Sequence, residues 1–259
     1  MAGNQSEERW PVTVVVPTRN EAGNIAALLD RLPAVEHVLF VDDSDDGTTS
    51  VIEQHAADAR NPVSVIHRTR GARHGGLAGA VTLGMQQVTS PWICVMDGDL
   101  QHPPEEVARL MERAAGDDVD LVVASRRNWD SINEGLGPVR RVVSWTFGRA
   151  AFALFGRQLS GVTDPLSGFF AVRTKSLDVA LLNATGFKIL LEILVTHPEL
   201  RSDEVGFAFQ RRGSGDSNGS VREALRYLRH VARLRRRMVR AGLHRAAGDP
   251  TIDATPQGT

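Results

Sequence analysis

Trp92-Ile93-Cys94-Val95-Met96-Asp97-Gly98-Asp99-Leu100-Gln101-His102-Pro103-Pro104-Glu105 is the stretch from which the rest of the chain can be read. Its five leading apolar residues suit a buried strand, and Asp97-Gly98-Asp99 breaks that run with turn residues. Residues 105–115 then carry apolar side chains at helical spacing, so strand, turn and helix follow one another. Two carboxylates therefore stand where the strand ends. Taken alone they read equally well as a solvated turn or as ligands of a hard cation, which prefers oxygen donors and keeps waters and substrate phosphates around it.

Working towards the N-terminus, the same alternation recurs. Val12–Val16, His37–Val41 and Val63–Ile66 are apolar runs, and Leu121–Ala124 adds another beyond the central stretch. Between them, Ile25, Leu28, Leu29 and Leu32 recur at helical spacing, as do apolar residues within Thr48–Asp58 and Leu77–Val88. Strands alternating with helices through short links predict an α/β fold with a mostly parallel sheet covered on both faces. Ligands of such sheets bind beyond the carboxyl ends of the strands. Those positions hold Pro17-Thr18-Arg19-Asn20-Glu21, Asp42-Asp43 and Asp97-Gly98-Asp99, so acidic groups gather where a ligand would lie.

The second half loses the alternation. A largely apolar stretch, Val142–Phe155, suits either the core or lipid contact. A strand is predicted near Phe169–Arg173, a helix over Phe187–Thr196, a strand around Val205–Arg211 and a long helix from Val221 to Leu243. In that helix Val221, Leu225, Leu228, Ala232 and Met238 form a broad apolar stripe. From Arg222 to Arg245 there are nine arginines and one acidic residue, Glu223. A basic amphipathic helix suits an anionic membrane surface or a partner helix; packing on its own domain is the plainer alternative. The expected organisation is a disordered tail over residues 1–10, a domain over 11–220, the basic amphipathic helix over 221–246 and a second disordered tail over 247–259.

A net charge of −1 excludes a generally basic nucleic-acid binder. The single Cys94 excludes an internal disulfide and suits a reducing compartment. No apolar run reaches the ~20 residues of a membrane-spanning helix, and the polar MAGNQSEERW start lacks signal-peptide order. These features predict a cytoplasmic protein, which can still attach peripherally to the cytoplasmic face of a membrane.

The central stretch closely resembles the D-A-D-L-Q-H-P-P-E signature of dolichol-phosphate mannose synthases and related polyprenol-phosphate glycosyltransferases, within the inverting glycosyltransferase family 2. The resemblance extends to Val16–Glu21 with Asn24-Ile25, to Val41–Thr48 (one residue shorter than the family pattern), to Arg70–Gly84, to Ser125-Arg126 and to Asp164–Phe169. It covers roughly residues 12–220 in register.

That resemblance implies the GT-A nucleotide-sugar-binding fold, Rossmann-like with a C-terminal amphipathic helix. It places Pro17, Glu21 and Asp43 at the nucleotide-sugar, with Asp42 as support or as a helix cap. It gives Asp97, Asp99 and Gln101 to Mg²⁺ or Mn²⁺. Arg126 and Arg140 with Ser144 would hold an acceptor phosphate, with Arg127 and Arg141 as substitutes within each pair; guanidinium suits that task through its fixed charge and bidentate geometry. Asp99, Arg126, Arg140 and Asp164 are the expected catalytic group, Asp164 organising the acceptor or sugar pocket. Phe209-x-x-Arg212-x-x-Gly215-x-Ser217 resembles the family's mobile acceptor loop, with Asn218 where the family has lysine. Arg212 would face the donor, and Arg211 is the candidate to supply the missing positive charge.

The implied reaction moves a hexose, mannose from GDP-mannose ahead of glucose from UDP-glucose, to a polyprenyl phosphate with inversion. Transfer to a sugar or protein hydroxyl, which would need Asp164 as base, and a silent nucleotide-sugar-binding subunit are the alternatives. Implied partners are the donor, the lipid phosphate, a membrane surface and a separate anchoring subunit; a homo-oligomer stays open and nucleic acid is not expected.

Overall fold

The structure is a computed structural model that describes residues 8–125, 149, 151–159, 161–183, 188–207 and 229–238. Seven strands, β1 (Trp10–Thr18), β2 (Val35–Asp42), β3 (Val63–His67), β4 (Trp92–Val95), β5 (Leu121–Ser125), β6 (Phe170–Arg173) and β7 (Ser202–Gly206), form one sheet in the order β3-β2-β1-β4-β6-β5-β7. Every pairing is parallel except those of β6, which runs antiparallel to β4 and β5. The helices are α1 (Ile25–Arg31), α2 (Thr48–Ala56), α3 (Gly76–Gln86), α4 (Glu106–Ala114) and α5 (Ile189–Thr196). Residues 151–155 and 229–238 are also helical.

The inner strands β1, β2, β4, β5 and β6 are apolar on both faces because both faces are covered. On β1, Val15 joins one core with Val41, Ile93 and α5, while Val12, Val14 and Val16 join the other with Phe40, Cys94 and α4. On α4, Val107, Leu110, Met111 and Ala114 are buried at helical spacing while Arg109 and Glu112 are exposed. By contrast, α5 is buried from Ile189 to Val195, as expected of a helix apolar all round. Gly84 of α3 lies so close to the sheet that a Cβ there would stand 2.5 Å from Val15 Cγ1, so α3 packs on β1 through backbone.

Strand β7 begins three residues before the expected Val205. Among the described residues it is an edge strand, paired with β5 alone and half-buried throughout, and its Asp203 and Glu204 hide the apolar alternation. Residues 208–211 of the expected strand lie outside the described residues, as does 142–148 of the apolar stretch. Further along that stretch, Ala151 and Phe155 are buried in the α5-side core.

In the described part of the C-terminal helix, Val231, Leu234 and Met238 are buried in that same core. Of the expected stripe, Met238 is buried and Ala232 exposed, while Val221, Leu225 and Leu228 lie outside the described residues. Arg237 reaches back to Glu192 Oε1 of α5 at 3.3 Å and to the Leu181 carbonyl at 2.9 Å. Arg229, Arg233, Arg235 and Arg236 are exposed. No helix among the described residues is long and apolar enough to cross a membrane.

Candidate active site

The chain runs from β1 outward to β2 and β3, then returns to the other side of β1 as β4. The strand order therefore reverses between β1 and β4, which places a ligand crevice beyond their carboxyl ends. Thr18, the last residue of β1, ties the rim together. Its hydroxyl donates to Asp42 Oδ1 at 2.8 Å, its carbonyl accepts from the Asp43 amide at 2.9 Å, and its methyl would stand 3.1 Å from a Cβ on Gly98. The turns after β1, β2 and β4 are thus in contact. Among the described residues, the two non-glycine positions with left-handed backbone, Asn20 (φ 59°) and Leu100 (φ 61°), fall in the turns after β1 and β4. Asn20 tolerates that conformation; Leu100 does not readily, and such strain of order 1–3 kcal/mol persists where the surroundings impose it.

At the end of β2 the two aspartates have different tasks. Asp42 is fully buried and accepts from Thr18, Ser44 and Thr49 hydroxyls, with His67 Nδ1 at 3.3 Å. Burial pushes its carboxyl up, but those hydrogen bonds outweigh burial and hold it below the usual carboxylate range. It does not cap α2: the N-cap is Gly47, and Asp46 accepts from the Thr48 amide. Asp43 is gripped by the Arg68 guanidinium, Nε to Oδ1 at 2.7 Å and Nη2 to Oδ2 at 2.5 Å, with both side chains nearly out of solvent. Arg68 also donates to the carbonyls of His74 and Gly76, so one guanidinium fixes Asp43 and the start of α3 together. Beside it, Arg73 donates to the Ser44 carbonyl, and Arg70 and Arg73 hold exposed Asp45 well below the usual range through their hydrogen bonds. Glu21 accepts from Asn24 Nδ2, which orients its carboxylate at the start of α1, and Pro17 is buried in β1.

At the end of β4, Asp97 is 41% exposed while Asp99 is buried. Asp99 Oδ1 accepts the Gln101 amide at 3.0 Å, and His102 Nδ1 accepts the Asp97 amide at 3.2 Å, so the turn is closed from both ends. Pro103 and Pro104 then lead into α4. Among the described residues no three His, Cys, Asp or Glu side chains group together as metal ligands. Asp97, Asp99 and the partly buried Gln101 thus offer a partial set of oxygen ligands. That fits a hard cation completed by phosphate oxygens and water, and does not fit an all-protein metal cage.

The Asp164–Phe169 loop closes the other flank. The Ser167 hydroxyl donates to the Ala124 carbonyl at 2.7 Å, and Glu204 of β7 accepts the amides of Thr163 and Asp164. Asp164 is buried. Gly168 backs directly on the Asp97–Gln101 turn: a Cβ there would stand 3.0 Å from Asp97 Oδ2 and 3.3 Å from His102 Cε1. Lys188, at the start of α5, donates to the Leu166 carbonyl at 3.0 Å.

Comparison with known proteins bears on this arrangement. Residues 13–180 match the family described as glycosyl transferase family 2. The chain belongs to that family. It is 34% identical over 237 residues to dolichol-phosphate mannosyltransferase of Pyrococcus furiosus, covering 86% of this chain but only 63% of that relative. To dolichol-phosphate mannosyltransferase of Saccharomyces cerevisiae it is 32% identical over 239 residues, covering 86% of each. Among solved structures, it resembles glucosyl-3-phosphoglycerate synthase from Mycobacterium tuberculosis in complex with Mn²⁺, UDP and glucosyl-3-phosphoglycerate. The TM-score is 0.59 at 19% identity, covering 95% of this chain and 83% of that one, a likeness of fold.

In this family 2 glycosyltransferase, Pro17 stands at the end of β1, Glu21, Asp43, Asp97, Asp99 and Gln101 stand in the strand-end turns around the switch point, and Asp164 stands on the adjoining loop. Arg126, Arg140, Ser144 and Arg212, with Arg127, Arg141, Arg211 and Asn218, lie outside the described residues. Arg68 was not anticipated, although it follows β3 as Asp42 and Asp43 close β2, and that strand-end position was the available signal. His102 was noticed only as part of a motif, yet it contacts both the Asp97 backbone and the Gly168 loop.

Proposed function

We propose that this glycosyltransferase transfers a hexose, mannose from GDP-mannose, to a polyprenyl phosphate, with inversion. The observation that carries the proposal is the Asp97–Gln101 turn seated at the switch point, beside the Asp43–Arg68 pair, in a chain similar to dolichol-phosphate mannosyltransferases. A donor diphosphate lies along this crevice with its nucleoside towards Asp43 and Glu21 and its phosphates towards Asp97 and Asp99. A Mg²⁺ or Mn²⁺ held by Asp97, Asp99 and Gln101 would offset the charge that develops on the departing nucleoside diphosphate. A phosphate acceptor is already ionised at neutral pH, so positioning and charge stabilisation supply most of the rate without a strong base. Arg126, Arg140 and Ser144 are proposed for the acceptor phosphate and Arg212 for the donor. Asp164, buried and held by its backbone on the acceptor flank, suits an organising role better than proton abstraction.

Attachment to the cytoplasmic face of a membrane is proposed through the exposed arginines of residues 229–238, because the apolar face of that helix is already used inside the domain.

The test is a panel of GDP- and UDP-sugars with Mg²⁺ or Mn²⁺ and a short polyprenyl phosphate, followed by mass spectrometry of the lipid. Mannosyl phosphoryl lipid formed from GDP-mannose, lost on chelation and in Asp99→Ala, supports the proposal. Sugar found only in a water-soluble, mild-acid-stable product would overturn the lipid acceptor, and unchanged activity of Asp99→Ala would overturn the cation site.

A further inference from the structure

His102 connects three parts of the active site that are distant in sequence. Its side chain is 4% exposed. Nδ1 accepts the Asp97 amide hydrogen at 3.2 Å, and since a backbone amide can only donate, the ring proton resides on Nε2. The 3.7 Å approach of Nδ1 to Asp97 Oδ2 is therefore not an ion pair but a consequence of the closed turn. The ring stands 5.3 Å from Phe169 and 5.7 Å from Phe207, and those two phenyl rings meet edge to face at 5.8 Å. Phe169 ends the Asp164 loop, and Phe207 follows β7, where its amide donates to the Ser125 carbonyl. Gly168 leaves no spare room on the remaining side, since a Cβ there would stand 3.3 Å from His102 Cε1.

We propose that His102 is a positioning residue with two separable tasks: its Nδ1 sets the backbone from which Asp97 presents its carboxylate to the cation, and its ring face sets the Phe169–Phe207 wall on the acceptor flank. The proposal rests on the cation-assisted, acceptor-phosphate reaction given above and deepens it. An imidazole is suited to both tasks because it offers an in-plane acceptor at one edge and an aromatic surface around it. Neither asparagine nor phenylalanine supplies both. In His102→Asn a polar atom remains at the Nδ1 position and the ring is lost. In His102→Phe the ring remains and the acceptor is lost, leaving the Asp97 amide without that partner.

The experiment uses the full chain and two readouts for each variant: calorimetric titration of Mn²⁺ in the presence of GDP, and KM for a short polyprenyl phosphate at saturating Mn²⁺. His102→Phe is expected to weaken Mn²⁺ binding about tenfold, as loss of a partner that orients a metal ligand does, with acceptor KM close to wild type. His102→Asn is expected to leave Mn²⁺ binding within about threefold and to raise acceptor KM about threefold to tenfold, the effect of a lost aromatic pair. Thermal melting accompanies both. Should His102→Phe not fold, His102→Tyr, which likewise keeps a ring and lacks an acceptor at the Nδ1 position, takes its place. Variants that move both readouts together, or neither, overturn the proposal while the cation site stands. A wild-type chain that turns over without added metal and binds no Mn²⁺ with GDP overturns the cation site first and this proposal with it.

Discussion

Replacing Arg68 by alanine tests the central electrostatic feature of the donor rim. The side chain makes two hydrogen bonds to Asp43, at 2.7 and 2.5 Å, and two to the carbonyls of His74 and Gly76, at 3.2 and 2.9 Å. Arg68→Ala strips all four and leaves the Asp43 carboxylate, 7% exposed as a residue, without its counter-charge. Breaking one side of a buried pair costs about 3–5 kcal/mol. Asp43 borders an open crevice from which water can enter the vacated space, so the lower end of that range, about 3 kcal/mol, is expected. For a domain of this size that corresponds to a fall in Tm of roughly 6–12 °C. The assay is urea unfolding at pH 7 of wild type, Arg68→Ala, Asp43→Asn and the double variant. A neutral amide at residue 43 no longer needs the guanidinium, so the double variant should be more stable than the sum of single losses by about 1–3 kcal/mol. A loss under about 1 kcal/mol for Arg68→Ala, or strict additivity, would refute the view that Arg68 is the obligatory counter-charge of Asp43.

Asp42 has a folded-state pKa below its unfolded value, so its contribution to stability is complete above about pH 4 and fades as pH falls through the folded value. The stability gap between wild type and Asp42→Asn, measured by denaturant unfolding, should therefore narrow below pH 4; a constant gap would contradict the hydrogen-bonded carboxylate. Gly168→Ala places a methyl 3.0 Å from Asp97 Oδ2, and it should weaken Mn²⁺ binding in the presence of GDP while lowering Tm by only a few degrees, roughly 1 kcal/mol of strain. Arg237→Ala leaves fully buried Glu192 without its guanidinium; because Arg237 itself is 43% exposed, the expected cost is about 1–2 kcal/mol, partly relieved by adding Glu192→Gln, and a melting experiment showing no relief would argue against the pairing.

The inner parallel strands were legible because burial on both faces gives short continuous apolar runs such as Val12–Val16, bounded by turn residues and alternating with helical patterns. The direction of β6 was not legible: Phe170–Arg173 has the same apolar pattern whichever way it runs, and only its pairing with both β4 and β5 sets it antiparallel. The start of β7 was missed because an edge strand satisfies one side in water and so tolerates Ser202, Asp203 and Glu204. Within the site, Asp97, Asp99 and Asp43 could be found because they follow apolar runs directly. Arg68 follows one too, but a single arginine carries no pattern, and its value arises only when β3 sets it against Asp43. His102 shows the same limit more sharply, since its partners Phe169 and Phe207 lie far along the chain.

The C-terminal helix shows where sequence periodicity leaves a choice that packing must make. A stripe through Val221, Leu225, Leu228 and Ala232 has helical spacing, and so does one through Val231, Leu234 and Met238; Met238 belongs to the second, and Arg229, Arg233 and Arg236 fall on the side of Ala232. Burial of the second set turns Arg229, Ala232, Arg233 and Arg236 outward, since residues three and four apart share a helix face. The described residues of this helix leave no apolar surface to insert into a bilayer, and any attraction of residues 229–238 to anionic lipid would be coulombic. That distinction is physical, because coulombic binding fails at high salt whereas apolar insertion does not. Sedimentation with anionic vesicles that disappears in 0.5 M salt would fit the arginine face. Binding to neutral vesicles that survives salt would mean that another part of the chain makes the contact.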